Sequence, residues 1–174
     1  MAKRAETESE TKEQLWSQLD KGFACMLRIE GSDQHPQPMS HFADREAGFV
    51  WFITSSATDL AQAVGDGRDG VDAGMTFISS SEDYHASIKG RLGIVENERK
   101  LDELWSVPVA AWFEHGRDDP SIRLMRFRPA EAAIWASDAN RVRVGMKLLR
   151  AGMTEGADAP DISVHHIVAF DTAA

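Results

Sequence analysis

Apolar residues along this chain fall into short clusters separated by polar turns, and the spacing within each cluster predicts the element it forms. Leu15, Trp16 and Leu19 share one face at helical spacing, Thr7 and Glu10 stand at capping-box distance ahead of them, and Gly22 ends the helix. Phe23 to Glu30 is an extended apolar run that enters the turn Gly31-Ser32-Asp33. Pro36 and Pro38 bracket a loop, and Met39 to Ala43 follows as a second strand, since proline is tolerated where a strand begins. Asp44 to Gly48 is a polar turn. Phe49 to Thr54 (FVWFIT) carries the strongest strand signal in the chain, being aromatic and β-branched.

Thr54-Ser55-Ser56 leads into a short helix from Ala57 to Val64, with Leu60, Ala61 and Val64 on one face and Ser55 or Ser56 as its cap. The stretch GDGRDG turns the chain. Val71 to Ser79 and Tyr84 to Glu96 read as two strands around the polar turn Ser80 to Asp83. Asn97 caps a helix carrying Leu101, Leu104 and Trp105; Pro108 interrupts it, and Val109 to Phe113 resumes it. Asp118-Asp119-Pro120 is a turn, Ile122 to Phe127 a strand, Ala132 to Ala136 an extension of the sheet, and Val164 to Phe170 the strand that closes it. Strands arriving in runs favour an antiparallel barrel or an α+β architecture over a doubly wound parallel sheet.

Length adds that one core accounts for all of this: 174 residues suit a single domain. Residues 1–12 read as a flexible tail, acidic at Glu6, Glu8 and Glu10, and 13–174 as one domain. No apolar run is long enough to cross a membrane, and Lys3 and Arg4 have no apolar stretch behind them, so no secretory signal is read. Cys25 is the sole cysteine, which excludes an intrachain disulfide and a multi-cysteine zinc site and points to the reducing cytoplasm. Within Phe23-Ala24-Cys25-Met26-Leu27 it reads as a small buried hydrophobe. The net charge of -9 argues against nucleic acid or an anionic membrane as partner. The one basic cluster, Arg141, Arg143, Lys147 and Arg150, reads as the wet side of a segment whose other side carries Val142, Val144, Leu148 and Leu149.

Most motif matches dissolve on their context. Gly65 to Gly70 fits G-x-G-x-x-G, but a dinucleotide fingerprint needs a strand before it and a helix after it. Here the order is reversed, and Asp66 and Asp69 would face a phosphate with negative charge, so it reads as a surface turn. No Walker sequence, H-E-x-x-H or G-x-S-x-G nucleophile elbow occurs. His165 and His166 are adjacent and point to opposite faces of a strand. The informative run is Thr54-Ser55-Ser56-Ala57-Thr58, hydroxyls at the junction of a strand and a helix. It has two readings: the hydroxyls cap the helix, or with free N–H groups they receive an anion.

Pro38-Met39-Ser40-His41-Phe42, Val50-Trp51-Phe52-Ile53-Thr54 and Ser87-Ile88-Lys89-Gly90-Arg91 resemble the first strands of the pyridoxamine 5′-phosphate oxidase-like split barrels. The run Leu104-Trp105-Ser106-Val107-Pro108, with Ala111-Trp112-Phe113-Glu114-His115-Gly116 and Asp118-Asp119-Pro120, is similar to the general stress protein branch of that superfamily. The likeness runs from about Glu13 to about Trp135. It implies a mainly β fold with short helices, a six-stranded antiparallel split β-barrel that forms a homodimer, with FMN (or FAD) in a groove at the dimer interface. The flavin-binding residues it implies are Met39, Ser40, Phe52, Ile53, Thr54, Ser55, Thr58, Leu60, His85 and Trp112. The hydroxyl turn would meet the phosphate. Two positions depart from the pattern. Where many relatives carry a phosphate-pairing lysine this chain has Leu60, with Asp59 beside it, and His85 falls at or near a relative's glutamine.

Three functions follow as alternatives. One is a flavin-binding general stress protein, with flavin-dependent oxidoreductase chemistry if the flavin turns over. Another is a non-enzymatic stress-related binding module whose flavin groove has degraded, for which Asp59 and Leu60 speak. The third keeps the barrel but exchanges the ligand for haem or a deazaflavin, with His35, His41 or His85 as haem ligands. Trp112 and Phe113 either cover the flavin or belong to the core.

Overall fold

The computed structural model describes residues 7–65, 70–137 and 163–170. Helix α1 (Glu8–Lys21) opens on the anticipated capping box: the Glu10 N–H donates to the Thr7 hydroxyl, and the Thr7 N–H donates to the Glu10 carboxylate. Thr11 is buried in this helix beside Leu15, Trp16 and Leu19, so residues 8–12 of the expected tail are helical.

Eight antiparallel strands follow among the described residues: β1 (Ala24–Ile29), β2 (Gln37–Ser40), β3 (Phe42–Asp44), β4 (Phe49–Ser55), β5 (Val71–Ile78), β6 (Tyr84–Ile94), β7 (Ile122–Ser137) and β8 (Ser163–Ala169). Their order across the sheet is β2-β1-β5-β6-β7-β4-β3, with β8 also paired to β7. The fold is the expected mainly β split barrel with short helices, but with more strands than six. The anticipated strand Met39 to Ala43 is two strands that diverge at His41. One pairs with β1 and the other with β4.

The anticipated strands Ile122 to Phe127 and Ala132 to Ala136 are instead one strand of 16 residues. Its first part pairs with β4 (Ile122↔Ser55 through Phe127↔Val50) and its last part with β8 (Glu131↔Ala169 through Ser137↔Ser163), while β6 runs along its other edge. β8 therefore lies in line with β4 and does not close the barrel. Pro129, which lacks an N–H, sits in the middle of this strand because the β6–β7 register shifts there: Lys89 faces Glu131, and Gly90 faces Pro129. A Cβ on Gly90 would stand 2.1 Å from the Arg128 carbonyl oxygen, so the close approach at the bulge requires glycine.

Alternation puts one face of each strand inside. Leu27, Phe52, Phe77, Ile88, Leu92, Met125 and Phe127 build the main core with Leu15 and Leu19 of α1, together with Leu60 and Val64 of α2 (Asp59–Val64). Cys25 is buried in this core, and burial pushes its thiol pKa up to about 12. A smaller core of Trp51, Leu101 and Leu124 lies on the outer face of β4 and β7, where α3 (Glu98–Leu104) covers it. Asn97 caps α3 as expected, its side chain accepting the Lys100 N–H. Pro108 does not interrupt a helix. It stands in the first turn of the short helix α4 (Val107–Ala110), where its missing N–H has no intrahelical role. Gly31-Ser32-Asp33 and Asp44 to Gly48 are the turns read from the sequence, with Gly31 and Gly48 at positive φ. Positions 66–69 of the GDGRDG stretch and the basic cluster Arg141, Arg143, Lys147 and Arg150 lie outside the described residues. Among the described residues, no helix is long and apolar enough to cross a membrane.

Candidate functional site

The two outer edges of the sheet, β2 and β3, are consecutive in the chain and joined through His41. The barrel thus closes covalently at one residue, with no hydrogen-bonded ladder between β2 and β4. β3 pairs with β4 only at Phe49, Val50 and Trp51, so from Phe52 onward β4 has a ladder neighbour on one side alone. β2 likewise pairs only with β1. A groove of about 540 Å³ opens along this seam. Its walls are Pro38, Met39, Ser40 and Phe42 on one side, Ile53, Thr54, Ser55 and Thr58 on the other, with Phe23 and the segment from Ser106 to Phe113 over it.

At one end of the groove the hydroxyls are organised by their own hydrogen bonds. The Thr58 hydroxyl donates to the Ser55 carbonyl (2.9 Å) and accepts the Ala61 N–H (3.2 Å), so Thr58 caps α2, in place of Ser55 or Ser56. The Thr54 and Thr58 hydroxyl oxygens are 3.2 Å apart. Ser55 accepts the Ala57 N–H at 3.2 Å. The turn is tied to the start of β7 by the Ser56 N–H, which donates to the Ser121 carbonyl at 2.7 Å. Leu60, one residue into α2 from Asp59, points away from this end and into the core.

His41 forms the deep part of the seam at 3% exposure. Its Nε2 donates to the Leu19 carbonyl at 2.9 Å, its N–H donates to the Phe23 carbonyl, and its ring meets Phe77 edge-on. A carbonyl accepts only, so the neutral ring carries its proton on Nε2, and buried Nδ1 has no partner. Burial lowers the His41 pKa, and the bond to Leu19 opposes this only in part.

Across the groove, Phe113 is buried against Trp105, while Trp112 is 83% exposed. The two aromatics that read alike in sequence thus divide, one into packing and one into a free rim. The rim segment is anchored at its far end: Arg117 donates to Asp102 (2.8 Å) and to Glu98 (2.6 Å) of α3, and the Asp119 carboxylate accepts from Ser121 and from the His115 N–H.

Of the ten residues that the family likeness marks, the fold brings seven together on this groove: Met39, Ser40, Ile53, Thr54, Ser55, Thr58 and Trp112. Phe52 alternates with Ile53 and is fully buried in the main core, as is Leu60. His85 stands on β6 beside Trp135, away from the seam. His35 is exposed in the loop before β2, and of His35, His41 and His85, His41 alone lines the groove. Phe23, Phe42, Ser106 and Val109 line the groove without having been singled out by sequence. Phe42 and Ser106 fall within the family-like runs, and Phe23 opens an apolar run, but nothing in the sequence marks these side chains as facing a groove.

The pyridoxamine 5′-phosphate oxidase-like family model matches residues 10–160. A protein of Jannaschia sp. CCS1 assigned to general stress protein 26 superposes with a TM-score of 0.79 at 30% identity, covering 93% of this chain and 99% of its own. A Xanthomonas campestris pv. campestris protein assigned to the general stress family superposes with a TM-score of 0.68 at 32% identity, over 77% of this chain and 92% of its own. The general stress FMN/FAD binding protein of Xanthomonas citri superposes with a TM-score of 0.65 at 34% identity, over 74% of this chain and 89% of its own. No curated protein matches the chain. Family model and structural relatives agree with the motifs of β2, β4 and the Trp105 to Pro120 segment, and the chain belongs to the pyridoxamine 5′-phosphate oxidase-like family, in its general stress protein branch.

Proposed function

We propose that this protein binds a flavin, FMN or FAD, in the groove between β2 and β4, and acts as a cytoplasmic, flavin-dependent general stress protein. The observation that carries the reading is the convergence of Met39, Ser40, Ile53, Thr54, Ser55, Thr58 and Trp112 on one groove of about 540 Å³. That volume is typical of a small-molecule site. The lining fits the ligand. Met39, Ile53, Val109 and Trp112 offer apolar and aromatic surface to a flat ring, and Ser40, Ser55 and the half-paired strand β4 offer polar groups to its edge. The Xanthomonas citri relative, an FMN/FAD binding protein, supports the same ligand class.

When bound, a flavin supplies reversible one- and two-electron chemistry. The chain's own part is to orient the ring between β2 and the Ser106–Phe113 segment and to exclude water with Phe23, Val109 and Trp112. No side chain is assigned a proton-transfer step. Phe23, Val107 and Trp112 are large apolar groups left exposed at the rim (74%, 86% and 83%). A second copy of the chain covering this rim, as the family likeness implies, would bury them and complete the site.

The test is the absorption spectrum of the purified protein, followed by identification of the released cofactor and titration of the stripped protein. Flavin bands, or quenching of flavin fluorescence on titration, are expected. A colourless protein that quenches neither FMN nor FAD overturns the reading, and a haem spectrum replaces it. Light scattering should give a dimer.

A further inference from the structure

We propose that the groove recognises the flavin ring and is indifferent to the phosphate, so that riboflavin, FMN and FAD bind with similar affinity. This rests on the reading that the groove holds a flavin. Among the described residues, fifteen line the groove, and none of them is Asp, Glu, Lys or Arg. The only titratable one is His41, whose proton is held on Nε2 against the Leu19 carbonyl and whose burial disfavours the charged form.

The hydroxyl end, which should meet a phosphate, is largely engaged with itself. The Thr58 hydrogen goes to the Ser55 carbonyl, so the contact between Thr58 and Thr54 takes the hydrogen of Thr54. The Ala57 and Ala61 N–H groups go to the Ser55 and Thr58 oxygens. What remains for a ligand from these three side chains is the Ser55 hydrogen, a neutral donor. Hydrogen bonds to a phosphate gain most when the donor carries charge. Two charged residues flank this end: the exposed Asp59 carboxylate at the first position of α2, which repels a phosphate, and Arg123, cross-strand from Thr54, whose guanidinium donates to the Pro120 and Ile122 carbonyls and does not line the groove. The arrangement therefore rewards a phosphate little and the uncharged ring fully.

Equilibrium titrations with riboflavin, FMN and FAD decide the point. The expected result is dissociation constants within about tenfold of one another, with that of FMN nearly unchanged between low and high salt. FMN binding more than about tenfold tighter than riboflavin, with affinity falling as salt rises, overturns the inference and leaves the flavin reading standing. Failure of all three to bind overturns the flavin reading itself. The variant Asp59→Lys should convert the site to a phosphate-selective one, FMN gaining about tenfold over riboflavin. Equal affinities in that variant also overturn the inference, because indifference would then not come from the missing charge.

Discussion

The hydroxyl oxygens of Thr54 and Thr58 lie 3.2 Å apart, and this contact joins the end of β4 to the cap of α2. Thr58 thereby serves the helix and the groove with one side chain. Thr58→Ala removes the acceptor for the Ala61 N–H and should cost about 1 kcal/mol, the usual value of a lost N-cap. Thr58→Ser should restore most of it. Denaturant unfolding of the two variants measures the difference, and flavin titration should show the alanine variant weakened more than the serine one.

A second relay holds α3 onto the sheet. Asp44 accepts from Trp51 Nε1 (3.1 Å) and from Lys100 Nζ (2.9 Å), and Lys100 lies over the Trp51 ring at 5.7 Å. Both charged side chains are less than one fifth exposed. Burial raises the Asp44 pKa, but the hydrogen bonds from Lys100, the Ala47 N–H and Trp51, with the Lys100 charge, outweigh it and hold the carboxyl below its ordinary value. A carboxyl depressed in the folded state stabilises above its unfolded pKa and loses that contribution as pH falls through the folded value. Asp44→Asn should therefore be less stable than the natural protein at pH 7, by about 2 kcal/mol for the lost charged hydrogen bonds. The gap should narrow below about pH 4. Unfolding curves at pH 7 and pH 3.5 check both parts.

His41 gives a pH dependence in a different window. Its pKa is lowered by burial, so the unfolded chain binds a proton more readily than the folded one once pH falls below the ordinary histidine value. Stability should decline from about pH 6.5 downward. His41→Gln retains an N–H donor for the Leu19 carbonyl but takes up no proton, and should show a flatter profile between pH 7 and pH 5. A profile as steep as that of the natural protein would remove His41 from the account.

The sequence made the elements visible but not their edges. The β4 strand, the capping box of α1 and the Asn97 cap of α3 were legible because each depends on neighbours in the chain. Pro129 concealed the continuity of β7, since tolerating a proline there requires a bulge against Lys89 and Gly90, forty residues away in sequence. Pro108 read as a break because a proline in a helical pattern looks the same whether it ends one helix or begins the next. In the groove, Thr54, Ser55 and Thr58 stand out by residue type, whereas Met39, Ser40, Ile53 and Trp112 come from family likeness. What that likeness did not carry is which side chains face the groove, because facing depends on where β2 parts from β3 at His41, and no periodicity announces that point.

Phe52 and Ile53 show how sharply this matters. They are adjacent, the family likeness implies both as flavin contacts, and the pleat of β4 sends them to opposite faces. Phe52 is fully buried among the main core residues, whereas Ile53 lines the groove. Phe52→Ala should cost about 3–5 kcal/mol by leaving a cavity, and any loss of flavin binding should follow loss of folded protein. Ile53→Ala removes apolar surface where the ring would lie and should raise the flavin dissociation constant several-fold with a smaller loss of stability. Thermal unfolding and flavin titration of both variants, measured side by side, separate the two effects. If Ile53→Ala bound flavin as tightly as the natural protein, the ring would have to lie elsewhere than against β4.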